Sequence, residues 1–257
     1  MQIEILYEDE DMLAINKRAG LVVHSDGRTV EPSVADWFRE KYPESRDVGE
    51  PILTSPGFQP PSPRARRGAG GEVVIERPGI VHRIDRETSG VLLLAKSKKG
   101  HEVLKKQFQN REIKKVYHLF VYGDMKDDRG IIDLPIKRSK SDFRKRIARP
   151  ASALGFGEAK EAVTYFEVLK RSPELGVTLV EAKPQTGRTH QIRVHFQALH
   201  HPVVGDKLYA SGKSKFLSMN RLALHARKIT FKNVEGKEVT VEAPYPEDFQ
   251  RALDMLS

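Results

Sequence analysis

The run His82-Arg83-Ile84-Asp85-Arg86-Glu87-Thr88-Ser89-Gly90 sets one carboxylate between two arginines and leads directly into the apolar stretch Val91-Leu92-Leu93-Leu94-Ala95. Flanking guanidinium groups keep an aspartate ionised, and a polar turn feeding a buried strand presents it for nucleophilic or base chemistry. The same residues also fit a plain structural turn, in which Asp85, Thr88 and Ser89 hydrogen-bond nearby amides ahead of Gly90. A second constellation is Lys183-Pro184-Gln185-Thr186-Gly187-Arg188-Thr189-His190-Gln191-Ile192-Arg193-Val194-His195. A strand ending at Pro184, a tight turn at Gly187 and a helix opening near Thr189 aim backbone amides, Arg188 and Arg193 at an anion in the adjoining cleft. That anion can be a carboxylate of the protein itself. An Arg193–Asp85 pair would lower the aspartate pKa and fix its rotamer.

Other chemistries fail their pattern tests. His190, His195, His200 and His201 lie close in sequence, but the five-residue step from His190 to His195 diverges on a helix and no carboxylate interleaves them, so a metal site is disfavoured. No G-x-S-x-G elbow surrounds a serine, and neither G-x-x-x-x-G-K-[ST] nor G-x-G-x-x-G is present. The chain has no cysteine, which excludes disulfides, thiolate metal sites and cysteine nucleophiles and fits a cytoplasmic protein.

The elements that must position these residues read as α+β. Strands are predicted at Ile3–Tyr7, Met12–Asn16, Val116–Tyr122, Ala162–Leu169, Val177–Ala182, Leu222–Phe231 and Val239–Ala243, besides the apolar run after Gly90. Helices are predicted after Ser33, over Lys98–Asn110 and over Pro246–Leu256. Many strands with short turns and few intervening helices favour a mixed, mainly antiparallel sheet over a doubly wound parallel one. The segment Pro43–Gly79 is rich in proline, glycine and arginine and reads as an irregular loop or insertion, with partial disorder and RNA contact as open alternatives. The whole, 257 residues long, is expected to be one domain with that insertion.

Charge points to the partner. A net +9 is gathered around Arg64–Arg67, Lys96–Lys99, Lys105–Lys115 and Lys137–Arg149, the footprint of a protein that displaces counterions from a polyanion. No apolar run approaches the roughly 20 residues of a transmembrane helix, and no signal peptide is evident.

The nine residues from His82 resemble the H-R-L-D-x-x-T-S-G signature of the RluA family of pseudouridine synthases. Three further segments match in order: Lys114-Lys115-Val116-Tyr117 the K-x-Y segment, Thr186-Gly187-Arg188-Thr189-His190-Gln191-Ile192-Arg193 the T-G-R-x-H-Q-[IL]-R segment, and His201-Pro202-Val203-Val204-Gly205-Asp206 the H-P-[IV]-x-G-D segment. Leu222-Ala223-Leu224-His225-Ala226 also agrees. The resemblance implies the pseudouridine synthase fold with a central cleft, and isomerisation of uridine in ribosomal or transfer RNA without cofactor or metal. It makes Asp85 the catalytic aspartate, as nucleophile or base. Tyr117 would stack on the target base, Arg193 would pair with the aspartate, and Ile192 would line the pocket. Arg83 would help extrude the base and fill its place, and Arg188 would contact phosphate. His82, His190 and Gln191 are read as framework.

Two departures stand out. Ile84 replaces leucine, and Lys17-Arg18-Ala19-Gly20 lacks the proline of the family's K-P-x-G turn, so this turn is expected to be less rigid. The amino-terminal S4-type domain of many relatives is not expected, and a monomer is the default. The alternatives are a noncatalytic RNA-binding or ribosome-assembly protein on the same fold and a hydrolase of small nucleosides, the latter disfavoured by the basic excess.

Overall fold

The first hairpin pairs β1 (Glu4–Glu8) with β2 (Met12–Lys17), whose first four residues run apolar and buried. These strands open a computed structural model that describes residues 1–24, 31–53, 66–67, 73–153, 155–213 and 219–256. Next come α1 (Val34–Lys41), β3 (Ile52–Leu53), β4 (Arg66–Arg67), β5 (Val73–Ile75), β6 (Ser89–Ala95), α2 (Lys98–Gln109), β7 (Lys114–Tyr122), β8 (Arg129–Asp133), β9 (Ile136–Arg138) and β10 (Arg146–Ala148). The chain continues through β11 (Val163–Ser172), β12 (Val177–Pro184), α3 (Gln191–Ala198), β13 (Leu224–Lys232), β14 (Glu238–Glu242) and α4 (Glu247–Asp254). Two compact units divide it. The first holds Met1–Arg86, Gly90–Ile113 and Thr230–Glu242; the second holds Glu87–Ser89, Lys114–Ile229 and Ala243–Ser257.

In the first unit β2 pairs antiparallel with β6, from Met12↔Ala95 to Lys17↔Gly90. Every residue of β6 is buried, which is why its sequence runs apolar without alternating. Ser33 caps α1 reciprocally: its hydroxyl accepts from the Asp36 amide while the Asp36 carboxylate accepts from the Ser33 amide. Trp37 and Phe38 of α1 are buried. Ser97 caps α2 by accepting from the Gly100 amide at 2.9 Å.

The segment from Pro43 to Gly79 is more built than its composition suggests. Among the described residues it holds a 3-10 turn at Pro43–Ser45 and a three-stranded sheet in the order β3-β5-β4. Strands of two or three residues are too short to show a period. Arg64, one of the cations expected near RNA, lies outside the described residues.

In the second unit the strand order is β13-β7-β12-β11-β8. β7 pairs antiparallel with β12 from Tyr122↔Val177 to Tyr117↔Ala182, and β11 continues the sheet to β8. Its core gathers Leu119, Phe120, Val121, Val180, Phe196, Val203, Leu222 and Phe249. β8, β9 and β10 were not predicted, being short and rich in charge. Antiparallel pairing with helices set apart from the strands is the expected α+β arrangement. No helix among the described residues is long and apolar enough to cross a membrane.

Candidate active site

Asp85 is half-buried on a loop whose backbone is gripped immediately after it. The grip comes from Lys17, the last residue of β2, which is 0 % exposed. Its Nζ donates to the carbonyls of Arg18 (3.0 Å), Leu21 (2.8 Å) and Arg86 (3.0 Å). An ammonium carries donors and no acceptor, so it suits a point where carbonyls converge. The Gly20 amide donates to the same Arg86 carbonyl at 2.9 Å. Gly20 sits at φ +84°, in the left-handed region that glycine tolerates. Arg86 returns the contact, its Nε donating to the Gly20 carbonyl (3.1 Å) and its two terminal nitrogens meeting Glu31 at 3.2 and 2.9 Å. The turn that lacks the family's proline is held by these contacts instead.

Upstream of Asp85, His82 Nε2 accepts from the Leu93 amide of β6 at 2.9 Å, and its ring stacks on Phe108 of α2 with 4.7 Å between centroids. Ile84 is buried and Arg83 is exposed. Downstream, in the second unit, the Ser89 hydroxyl meets His225 Nδ1 at 3.0 Å, both side chains buried.

The second constellation is built around α3. His190 caps this helix at φ +58°, left-handed for a non-glycine residue. Gln191 staples the preceding turn, its Oε1 accepting from the Thr186 hydroxyl (2.7 Å) and the Arg188 amide (3.0 Å) while its Nε2 donates to the Val163 carbonyl (3.0 Å). Arg188 Nε donates to the Glu161 carbonyl at 2.9 Å, so part of this side chain is in structural use. Ile192 is 6 % exposed within the core of the unit.

Arg193 forms a buried bidentate pair with Asp206, Nε to Oδ2 at 2.6 Å and Nη2 to Oδ1 at 2.9 Å. Asp206 Oδ1 also accepts from the amides of Leu208 and Tyr209 (2.9 and 3.1 Å), and the Arg193 guanidinium lies 5.1 Å from the Tyr209 ring centre. Asp206 ends the segment His201–Asp206, where the residue types alone imply no role for it. A cation placed on the inner face of a helix is the signal that asks for such an acid. Asp85 and Arg83 belong to the first unit, whereas Tyr117, Arg188, Ile192 and Arg193 belong to the second.

Tyr117 is half-buried on β7 and packs against the second unit's core. Two residues earlier on the same face, Lys115 donates to the Thr186 carbonyl at 3.2 Å, and burial pulls its pKa down to about 8. His195 is fully buried between the Leu134 carbonyl and the Thr164 hydroxyl, each at 2.9 Å, and burial lowers its pKa to about 4. Among the described residues, no group of three or more His, Cys, Asp or Glu could hold a metal ion.

A match over residues 11–198 to the family described as RNA pseudouridylate synthase places the chain in that family. It is similar to the RNA pseudouridine synthase YlyB of Bacillus subtilis, 35 % identical over 257 residues that cover 100 % of this chain and 73 % of that one. The dual-specificity RNA pseudouridine synthase RluA of Vibrio parahaemolyticus is 36 % identical over 89 % of this chain and 77 % of its own. The ribosomal large subunit pseudouridine synthase D of Zymomonas mobilis is 33 % identical over 99 % of this chain and 73 % of its own. Among solved structures, human RNA pseudouridylate synthase domain containing 4 superposes with TM-score 0.69 at 25 % identity, covering 98 % of this chain and 92 % of that one. The chain is accordingly an RNA pseudouridine synthase, an isomerase of uridine in RNA.

Proposed function

We propose that this chain, acting as one catalytic domain over residues 1–257, converts specific uridines of structured ribosomal or transfer RNA to pseudouridine, with Asp85 as the catalytic carboxylate. The observation that carries the reading is the aspartate loop: a carboxylate on a segment fixed by buried Lys17, Gly20 and Arg86. A fixed carboxylate can act as nucleophile at the sugar or as base toward a ribose proton. Either way the bond from base nitrogen to sugar breaks, the base turns and rejoins through carbon 5, and the proton of that carbon leaves to water.

The target nucleotide is flipped from its stack, at a cost of a few kcal/mol that pocket and phosphate contacts offset. In this reading Tyr117 stacks on the base and Ile192 walls its pocket. Arg83 fills the vacated place, Arg193 serves the carboxylate as countercharge and Arg188 meets phosphate. The relatives whose names specify ribosomal large subunit or dual-specificity activity support the substrate class.

RNA tritiated at carbon 5 of uracil tests it. Wild-type protein should release tritium to water, and Asp85→Asn should cut the rate by at least about a thousandfold with folding unchanged. Retained activity in Asp85→Asn removes the aspartate from its role, and no release by wild type from the total RNA of a suitable host removes the reaction.

A further inference from the structure

We propose that the β9–β10 hairpin is an RNA-docking arm: Phe143 at its tip stacks on an unpaired nucleobase, and the cations beside it engage the flanking phosphates. This rests on the reading that the substrate is RNA, and adds a surface that none of the family motifs contains.

The arm is the short antiparallel ladder Ile136↔Ala148, Lys137↔Ile147 and Arg138↔Arg146. Three pairs are too few to hold a hairpin alone, and the tip carries its own bracing. Arg144 grips Asp142 in a bidentate pair, at 3.0 and 2.9 Å. The Lys145 amide donates to the Asp142 carbonyl at 2.9 Å, and the Ser139 amide to the Lys145 carbonyl at 3.1 Å. Arg146 Nη1 donates to the carbonyls of Phe143 (3.3 Å) and Lys145 (3.1 Å). These contacts brace the tip from within, and Phe143 stands 66 % exposed.

One exposed phenylalanine is ordinary on a protein surface. Its surroundings are not: from residue 136 to 150 the sequence has seven basic residues and one acid, and that acid is taken by Arg144. Arg138, Lys140 and Arg149 are exposed. A single ring among cations offers little apolar area to a protein partner, and a base-paired duplex presents no base face to it. An unpaired nucleotide supplies both a flat π-face and adjacent negative charge.

The arm is tied to the second constellation at Arg146, in the ladder pair nearest the tip. The Arg146 amide donates to the Tyr209 hydroxyl at 2.7 Å. That hydroxyl also meets His190 Nδ1 at 3.0 Å, and the ring of Tyr209 carries the Arg193 guanidinium. The arm that carries Phe143 is therefore braced, through Tyr209, against the same helix that carries Arg193.

The test uses the full chain and a structured RNA that wild type binds, with KM read where that RNA is turned over and Kd where it is not. Phe143→Ala should raise KM at least about fivefold, leave kcat within about twofold and keep the salt slope of binding. Phe143→Trp should keep KM and show emission quenched by RNA, against the constant background of buried Trp37. Arg138→Ala combined with Lys140→Ala should flatten the salt slope by about 1.4. An unchanged KM in Phe143→Ala, or Phe143→Trp emission blind to saturating RNA, overturns the arm. Binding and quenching are read without turnover, so they decide on the arm even where tritium release fails and the catalytic reading falls.

Discussion

Around Asp85 the contacts of Lys17 and Gly20 end on main-chain atoms: the carbonyls of Arg18, Leu21 and Arg86 receive Lys17, and the Gly20 amide donates to the Arg86 carbonyl. Around Arg193 the contacts end on side chains, a guanidinium locked to a carboxylate with a tyrosine ring against it. A carbonyl is present whatever residue supplies it, so the Lys17 contacts are indifferent to their partners' identities, while Gly20 is needed for its positive φ and Arg86 adds a side-chain contact of its own. The second region depends on both members of a pair, because removing either leaves a buried charge uncompensated. The loop is thus held in good part through its backbone, whereas the helix is held through the side chains of Gln191 and Arg193.

The largest expected effect lies on the side-chain region. Asp206→Asn should destabilise the protein by about 3–5 kcal/mol in urea unfolding; a loss under about 1 kcal/mol would show that Arg193 is well accommodated without its partner. Acid should loosen the same region next. Burial lowers the His195 pKa from 6.5 to about 4, so between these values the unfolded chain binds a proton that the folded chain refuses. Stability is then full above pH 6.5 and falls as the pH drops toward 4, by ~3 kcal/mol for this residue. His195→Asn should flatten that slope, and an unaltered slope would assign the acid sensitivity elsewhere.

The main-chain region gives smaller effects. Lys17→Met should cost about 2 kcal/mol by stranding buried carbonyls and lower kcat more than it changes KM. Arg18→Ala, which keeps the carbonyl, should change neither; a fall in kcat there would break the contrast. Arg86→Ala removes a partly exposed pair with Glu31 and should cost under about 1 kcal/mol, measured by the same urea titration.

Where residues obey a period, the sequence was readable. The continuous run of β6, the short apolar strands β1 and β2 and the Ser33 cap all lie within a residue or two of their predicted places. Shorter or charge-interrupted elements were not readable: β8, β9 and β10 are three to five residues long with an arginine in each, and β3 to β5 are two or three residues long. At the site, the aspartate and the arginine helix declared themselves by motif. Their supports lie in motif segments too, but without a legible role. Lys17 reads as an ordinary surface lysine at the end of a strand, and nothing local tells that it is buried. Asp206 lies 13 residues beyond Arg193, across a turn whose geometry, with Gly205 at φ +73°, appears only in three dimensions.

Lys17 also makes the Asp85 loop countable in time. An amine with no solvent access cannot meet an acylating reagent until the turn around it opens, so the rate at which Lys17 is labelled reports how often that loop breathes. Exposed Lys98 and Lys99 on α2, labelled at once, supply the internal clock. RNA that closes over the loop should slow Lys17 labelling and leave a mark of occupancy that needs neither turnover nor a known target uridine.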